Sequence, residues 1–282
     1  MKRLAVYLEA VKFEHTIFAL PFAYLGMALA AHGLPTLAQC FWVTLAMAGA
    51  RTLAMGANRL IDRRIDALNP RTAGRALPRG RMSAGEMVAL CLASFAVLTV
   101  SAWQLNELCL LLMPAAVMVL VGYPYTKRLT WLSHWVLGLA DGLAPVGGWI
   151  AVTGQLAWEP IVLGAAVGLW IGGFDLIYAC QDVEFDRAQG LYSIPAQFGI
   201  AAALNLSTAN HAITVLLLSW LGWGLALAWP YWLGLAAAAG LLYYEHSLVR
   251  PDDLSRLDVA FFNVNGYIAV VVFAFTFAAL FV

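Results

Sequence analysis

Two short polar patterns interrupt an otherwise apolar chain. The first is Asn58-Arg-Leu-Ile-Asp62-Arg-Arg-Ile-Asp66, the second Tyr178-Ala-Cys-Gln-Asp182-Val-Glu-Phe-Asp186. Each has a polar head followed by two carboxylates at steps of four, and all three positions recur 120 residues later. Four residues of α-helix advance about 6 Å and turn about 40° past one revolution, so each trio shares one face of a helix that runs through it. Carboxylate pairs in matching register suit divalent cations that bridge a phosphate ligand. Mg²⁺ takes oxygen ligands, keeps several waters, and commonly uses one or two carboxylates plus substrate phosphates. Asn58 adds a neutral oxygen. The plain alternative is two solvated helix ends balanced by neighbouring arginines. Two copies with identical spacing weigh against it, although internal repeats also occur in transporters.

Basic residues surround the first pattern. The segment Asn69-Pro-Arg71-Thr-Ala-Gly-Arg75-Ala-Leu-Pro78-Arg79-Gly80-Arg81 is punctuated by Pro and Gly, which predicts a structured turn rather than more helix. Guanidiniums facing a metal-binding carboxylate cluster are what a diphosphate requires. Arg71 and Arg75 are the residues spaced for that role, whereas Arg79 and Arg81 read as topological charges. A second basic group closes Gly122-Tyr123-Pro124-Tyr125-Thr126-Lys127-Arg128. Tyr123 and Tyr125 fit either a membrane-interface belt or the site, and Lys127 and Arg128 either a topological signal or a cationic lid. Arg51, Asp141 and Asp175 lie within apolar runs, where ionisable groups by default face a polar cavity. Asp175 falls seven residues before Asp182, on nearly the same helical face.

The elements that carry these residues are membrane helices. Of 282 residues, 62% are hydrophobic and 11% charged, with no net charge. Soluble domains run near 45–50% apolar and 25% charged. A soluble domain, a disordered chain and a nucleic-acid binder are therefore excluded. The expectation is an all-α polytopic membrane protein, with about nine spans near 13–32, 37–57, 83–104, 107–124, 132–152, 160–181, 205–228, 230–248 and 260–281. The first apolar run is too long, and too interrupted by Glu14 and His15, for a cleavable signal. Cys40, Cys91, Cys109 and Cys180 show no metal spacing and read as core residues. Every Lys and Arg falls on one side of this nine-span arrangement, which predicts a cytoplasmic N-terminus and an external C-terminus.

Together these residues resemble the UbiA-type intramembrane prenyltransferases. The resemblance rests on Asn58-x3-Asp62-x3-Asp66, Arg75-x2-Pro78-x-Gly80, Tyr123-Pro124-x2-Lys127-Arg128 and Asp175-x2-Tyr178-x3-Asp182-x3-Asp186, in family order along the whole chain. It implies a single domain over 1–282 with two pseudo-repeats, folded as helices around a central cavity with a cytoplasmic cap, in a bacterial inner membrane. It implies that a polyprenyl diphosphate is joined to an aromatic hydroxy acid. Asn58, Asp62, Asp66, Asp182 and Asp186 would hold Mg²⁺ and the diphosphate, and Arg75, Lys127 and Arg128 would contact its phosphates. Asp175 and Tyr178 would lie near the acceptor, with Asp175 or Asp182 taking the ring proton. Three departures from ubiquinone-type members concern the acceptor. Arg59 stands where they carry Asp, Tyr192-Ser193 where they carry Lys-Ser, and Val11–Phe22 differs from their opening segment. That segment looks more like the branch that prenylates 1,4-dihydroxy-6-naphthoate for menaquinone. Lys12 or His15 is the expected partner of the acceptor's carboxylate, which needs a cation or donor once it leaves water.

Overall fold

The computed structural model describes residues 2–11 and 13–282. The described chain is helical, with no strand beyond an isolated bridge between Arg250 and Asp253. Twelve α-helices follow in order: α1 Lys2–Ala10, α2 Phe13–Ala31, α3 Leu37–Leu68, α4 Ala84–Leu105, α5 Glu107–Thr126, α6 Ser133–Thr153, α7 Trp158–Ala179, α8 Val183–Gln189, α9 Ile194–Phe198, α10 Ile200–Gly224, α11 Trp229–Ser247 and α12 Asn265–Ala279. A 3₁₀ turn, Cys180–Asp182, joins α7 to α8, and a π-helical turn, Val259–Val264, leads into α12.

Among the described residues, seven helices are long and apolar enough to cross a membrane: α3, α4, α5, α6, the α7–α8 run, α10, and Val259–Ala279. The first expected span is represented by a shorter apolar stretch, Leu20–Ala31. The eighth is α11, which is 19 residues long. Trp229, Pro230, Tyr231 and Trp232 at its start, and Tyr243 to His246 at its end, dilute its hydropathy. Trp and Tyr of this kind favour the membrane–water interface. The expected boundary between 205–228 and 230–248 lies at Gly224–Ala228, with Ala226 in the left-handed region at φ 49° and Pro230 opening α11.

The chain divides into two compact units, residues 1–20 with 36–125, and residues 21–35 with 126–282. The first acidic pattern belongs to the first unit and the second to the second.

In the first unit, α3 packs along α4 through small residues. A side-chain carbon on Gly56 would meet Cys91 Sγ at 2.5 Å, and one on Gly49 the Ser94 carbonyl oxygen at 2.8 Å. Without water, helices attract one another through van der Waals packing and interhelical hydrogen bonds, and small residues let them approach. Both helices start on a capping box: Thr36 with Gln39, and Ser83 with Glu86. The box satisfies N–H groups that no membrane solvent would. Glu86 also accepts the Tyr7 hydroxyl at 3.1 Å, tying α1 to the start of α4.

In the second unit, α7 is the central helix. Its glycines face those of α6: a carbon on Gly138 would stand 2.1 Å from the Gly168 carbonyl oxygen, and one on Gly142 2.4 Å from that of Gly164. On its other side, one face of α10 bonds to α7 carbonyls. The Ser207 hydroxyl donates to Gly173 O at 2.7 Å and the Thr214 hydroxyl to Ala166 O at 3.1 Å, while His211 Nε2 lies 3.2 Å from Trp170 O. Asn265 of α12 accepts the Trp170 indole N–H at 2.7 Å and donates to Glu245 of α11 at 2.8 Å. Apolar packing with polar cross-links thus holds α7, the helix that carries Asp175 and Tyr178.

Gly138→Ala should force α6 from α7, with an overpacking penalty of about 1–3 kcal/mol. Gly147→Ala, with nothing within 4 Å of the new carbon, should leave stability unchanged. Thermal midpoints of the two variants in detergent check this; equal midpoints contradict the close-approach reading.

Candidate active site

The first pattern lies wholly within α3, which runs eleven residues past the expected end of its span. Asn58, Asp62 and Asp66 therefore share a helical face, as the spacing predicts. Asp62 and Asp66 are buried, 2% and 4% exposed, and so is Arg59 at 6%. Isolated charges are very costly to bury, so the surrounding contacts are instructive. Arg75 Nη1 donates to Asp66 Oδ1 at 2.6 Å, and Arg59 Nη1 lies 4.0 Å from Asp66 Oδ2. Arg59 also donates through Nε to the Ala10 carbonyl at 3.2 Å, so it joins α1 to the acidic face. The Asn58 amide donates to the Tyr123 hydroxyl at 2.9 Å, which brings α5 to the head of the pattern.

The Asn69–Arg81 segment is a string of turns, as its Pro and Gly content predicts. Asn69 Oδ1 accepts the Arg71 N–H at 2.9 Å and the Thr72 hydroxyl donates to Asp66 O at 2.9 Å, folding the segment back over the end of α3. Arg75 thereby reaches Asp66, whereas Arg71 is exposed. Arg81 has a structural role that its position in a basic loop did not suggest. It forms a two-pronged pair with Glu9, at 2.9 and 2.6 Å, pinning the segment to α1. That hydrogen-bonded carboxylate raises the Arg81 pKa further above its ordinary value.

The second pattern has the same spacing but a different backbone. The Cys180 N–H turns to the Ile177 carbonyl, the Cys180 thiol donates to Leu176 O, and residues 180–182 tighten into a 3₁₀ turn before α8. A 3₁₀ turn rotates about 120° per residue rather than 100°, so Asp182 and Asp186 do not continue the Tyr178 face as one regular helix would. The Tyr178 ring stacks on Phe261 of the π-helical turn, centroids 4.0 Å apart. π-Helical turns recur at functional sites.

Three consecutive residues of the Leu191–Pro195 segment then bind three different parts of the second unit. Tyr192 N–H donates to the Lys127 carbonyl at 2.7 Å, the Ser193 hydroxyl to Asp186 Oδ2 at 2.7 Å, and Ile194 N–H to His134 Nε2 at 3.3 Å. His134 in turn meets Asp175 Oδ2 through Nδ1 at 2.7 Å. Lys127 is within electrostatic reach of Asp186. Within the first unit the structure thus gathers Asn58, Asp62, Asp66, Arg75 and Tyr123. Within the second it gathers Lys127, Asp175, Tyr178, Asp182 and Asp186; Arg128 follows Lys127 in the connection to α6. Lys12 and the side chain of His15 lie outside the described residues. Sequence reasoning missed His134, the Ser193–Asp186 hydrogen bond and the pairing of Arg59; Arg59 and Ser193 were marked only by comparison with the family pattern, and His134 carried no signal.

The donor set fits a divalent cation. Asp66 Oδ2 is buried and accepts no hydrogen bond, which is unusual for a carboxylate oxygen unless another ligand completes it. Among the described residues no three His, Cys, Asp or Glu side chains form a ready-made cage. Mg²⁺ shared with substrate phosphates needs only one or two carboxylates from a protein.

Comparison with known proteins decides the family. The UbiA prenyltransferase family model matches residues 19–280. The chain belongs to the UbiA prenyltransferase family. It is 31% identical over 246 residues to a 4-hydroxybenzoate octaprenyltransferase of Tolumonas auensis, covering 87% of this chain and 85% of the relative. The apo structure of a UbiA homologue from Aeropyrum pernix K1 superposes with a TM-score of 0.86 at 37% identity, over 93% of this chain and 96% of that one. A UbiA homologue from Archaeoglobus fulgidus bound to GPP and Mg²⁺ shares the fold, with a TM-score of 0.72 at 22% identity over 98% and 100% of the two chains. UbiA membership makes this chain a membrane-embedded prenyltransferase and removes the transporter reading left open by the repeat.

Arg59→Ala should strip one partner from the buried acidic face. Breaking a buried ion pair destabilises by roughly 3–5 kcal/mol, and the low end applies because Arg75 still holds Asp66. Adding Asp66→Asn should recover part of the loss. Chemical denaturation in detergent checks both; an Arg59→Ala protein as stable as the parent contradicts the pairing.

Proposed function

We propose that the protein transfers a polyprenyl group from a polyprenyl diphosphate to the ring of an aromatic hydroxy acid, with Mg²⁺, in quinone biosynthesis. The observation that carries this is the buried Asp66 Oδ2, which accepts no hydrogen bond, on a face that also holds Asp62 and Asn58, with Arg75 on the other Asp66 oxygen. The Tolumonas relative's name and the GPP and Mg²⁺ of the Archaeoglobus homologue support the same chemistry. The acceptor is 1,4-dihydroxy-6-naphthoate or 4-hydroxybenzoate; the departures at Tyr192 and Val11–Phe22 favour the naphthoate and a role in menaquinone synthesis.

In this reading Asp62 and Asp66, and likewise Asp182 and Asp186, supply oxygen ligands, with Asn58 beside the first pair. A bound Mg²⁺ supplies charge neutralisation on the departing diphosphate. Arg71, Arg75, Lys127 and Arg128 donate hydrogen bonds to phosphate oxygens, stabilising the negative charge that grows as the bond from prenyl C1 to oxygen breaks. Tyr123 holds Asn58 in place. The apolar bundle keeps water from the allylic cation. A ring carbon ortho to the hydroxyl forms the new bond to C1. The proton it loses passes to a carboxylate, Asp175 or Asp182, with Tyr178 beside the reacting carbon. Lys12 or His15 receives the acceptor's carboxylate. The one-sided basic loops support a cytoplasmic N-terminus and an external C-terminus.

Product mass spectrometry tests this with purified protein, Mg²⁺, a polyprenyl diphosphate and a panel of aromatic acids. A prenylated acid should form, and formation should stop in EDTA. Asp62→Ala, Asp66→Ala, Asp182→Ala and Asp186→Ala should each lower turnover by about two to three decades, the scale of interactions aimed at developing charge. Full activity in EDTA, or of any two variants, refutes the site. Faster turnover of 4-hydroxybenzoate than of the naphthoate refutes the menaquinone assignment alone.

A further inference from the structure

We propose that His134 is a positioning residue for prenyl transfer: a neutral imidazole, locked in one tautomer from behind, that holds the Asp175 carboxylate in its working orientation. The inference rests on the prenyl-transfer reading for its consequence, but its geometry stands independently. His134 sits in the first turn of α6 and is 3% exposed. Its two ring nitrogens face groups of opposite character. Behind it, the Ile194 backbone N–H points at Nε2 from 3.3 Å. A backbone N–H can only donate, so Nε2 must present its lone pair. The proton of the neutral ring is then on Nδ1, 2.7 Å from Asp175 Oδ2. An imidazole with one nitrogen committed as acceptor has one donor left, and it is spent on the carboxylate. The choice of tautomer by the hydrogen bond on the far nitrogen is a general property of histidine.

Rigidity makes this a positioning device rather than a casual contact. α6 and α7 approach closely here: a side-chain carbon on Gly172 would lie 3.3 Å from the His134 carbonyl oxygen. Trp135, the next residue, donates to Asn210 of α10 at 3.4 Å. On the far side, Ile194 opens α9, and its neighbours Tyr192 and Ser193 hold Lys127 and Asp186. Displacing the Tyr192–Ile194 segment therefore moves the Asp186 hydrogen bond and the His134 acceptor contact together. One short segment sets the orientation of two carboxylates, Asp186 directly and Asp175 through His134. Of the two candidate bases, Asp175 and Asp182, this proposal takes Asp175: with Oδ2 taken by the imidazole, its Oδ1 is the oxygen left for the substrate proton.

The test pairs two substitutions with a spectroscopic measurement. His134→Gln keeps the pattern, because an amide N–H can donate to Asp175 and an amide carbonyl can accept from Ile194. His134→Leu removes both contacts at similar bulk. His134→Leu should lower kcat by about ten- to a hundredfold, a part of the roughly hundred- to ten-thousandfold that a positioned base contributes, because the base itself remains. The KM for the prenyl diphosphate should change less than about twofold, since ground-state binding of that substrate is untouched. His134→Gln should restore kcat to within about threefold of the parent, a rescue that a shape-only role would not give to an amide. In an Asp175→Asn background, His134→Leu should add less than about twofold, because both changes remove one unit. Independently of turnover, ¹⁵N NMR of labelled imidazoles, assigned by loss of a signal in His134→Gln, should show the Nδ1–H tautomer. A parent that forms product while His134→Leu matches it overturns the positioning role alone. An Nε2–H tautomer or an imidazolium at His134 overturns the geometry. A parent that prenylates nothing overturns the functional reading, and the NMR result still decides the tautomer.

Discussion

Charge cannot be left unattended inside an apolar bundle. Transfer of an ionised group into a medium without water is so unfavourable that it must be paired, hydrogen-bonded or bound to metal. The layout of both acidic patterns follows from this. Asp66 is held by Arg75 on one oxygen and faced by Arg59 near the other. Asp186 accepts Ser193, and Asp175 meets His134. These partners come from turns and helix starts beyond the apolar spans: the Asn69–Arg81 string, the first turn of α6 and the Tyr192–Ile194 segment. The connections between helices are thus as much part of the site as the helices themselves.

Incomplete satisfaction is equally informative. A buried carboxylate oxygen that accepts no hydrogen bond is a liability in a structural ion pair and an asset in a ligand-binding face. Asp66 has Oδ1 committed to Arg75 and Oδ2 accepting no hydrogen bond, which is the feature on which its proposed ligand role rests. In the proposed function, a metal–diphosphate would bring positive charge to the carboxylates and negative charge to the arginines. Arg75 would then have a phosphate in place of Asp66 as its anion, so the guanidinium would not be stranded.

Much of this was legible in the sequence, because charge is rare in such a chain and its spacing therefore means something. The Asn58–Asp66 pattern specified its helical face, and α3 runs through it as expected. The Pro and Gly of residues 70–80 specified turns, and turns are present. The second pattern had identical spacing, yet its backbone tightens at Cys180–Asp182; neither Cys180 nor Gln181 is a helix breaker, so tertiary context decides. His134 was illegible for a different reason. It lies 41 residues from Asp175 and 60 from Ile194, and no periodicity links positions on three separate elements. Arg81 read as a topological charge because Glu9, its partner, is 72 residues away. Local spacing reveals one helix face at a time, whereas partners supplied by other elements emerge only from packing.

The central claim is that the acidic patterns are half-built metal sites that the substrate's diphosphate completes. Electron paramagnetic resonance of Mn²⁺, used in place of Mg²⁺ with detergent-solubilised protein, tests it directly. Bound Mn²⁺ should be scarce with protein alone, should rise to saturation when geranyl diphosphate is added, and should fall back in Asp66→Asn. Tight Mn²⁺ binding without the diphosphate, or binding unchanged in Asp66→Asn, would contradict the account.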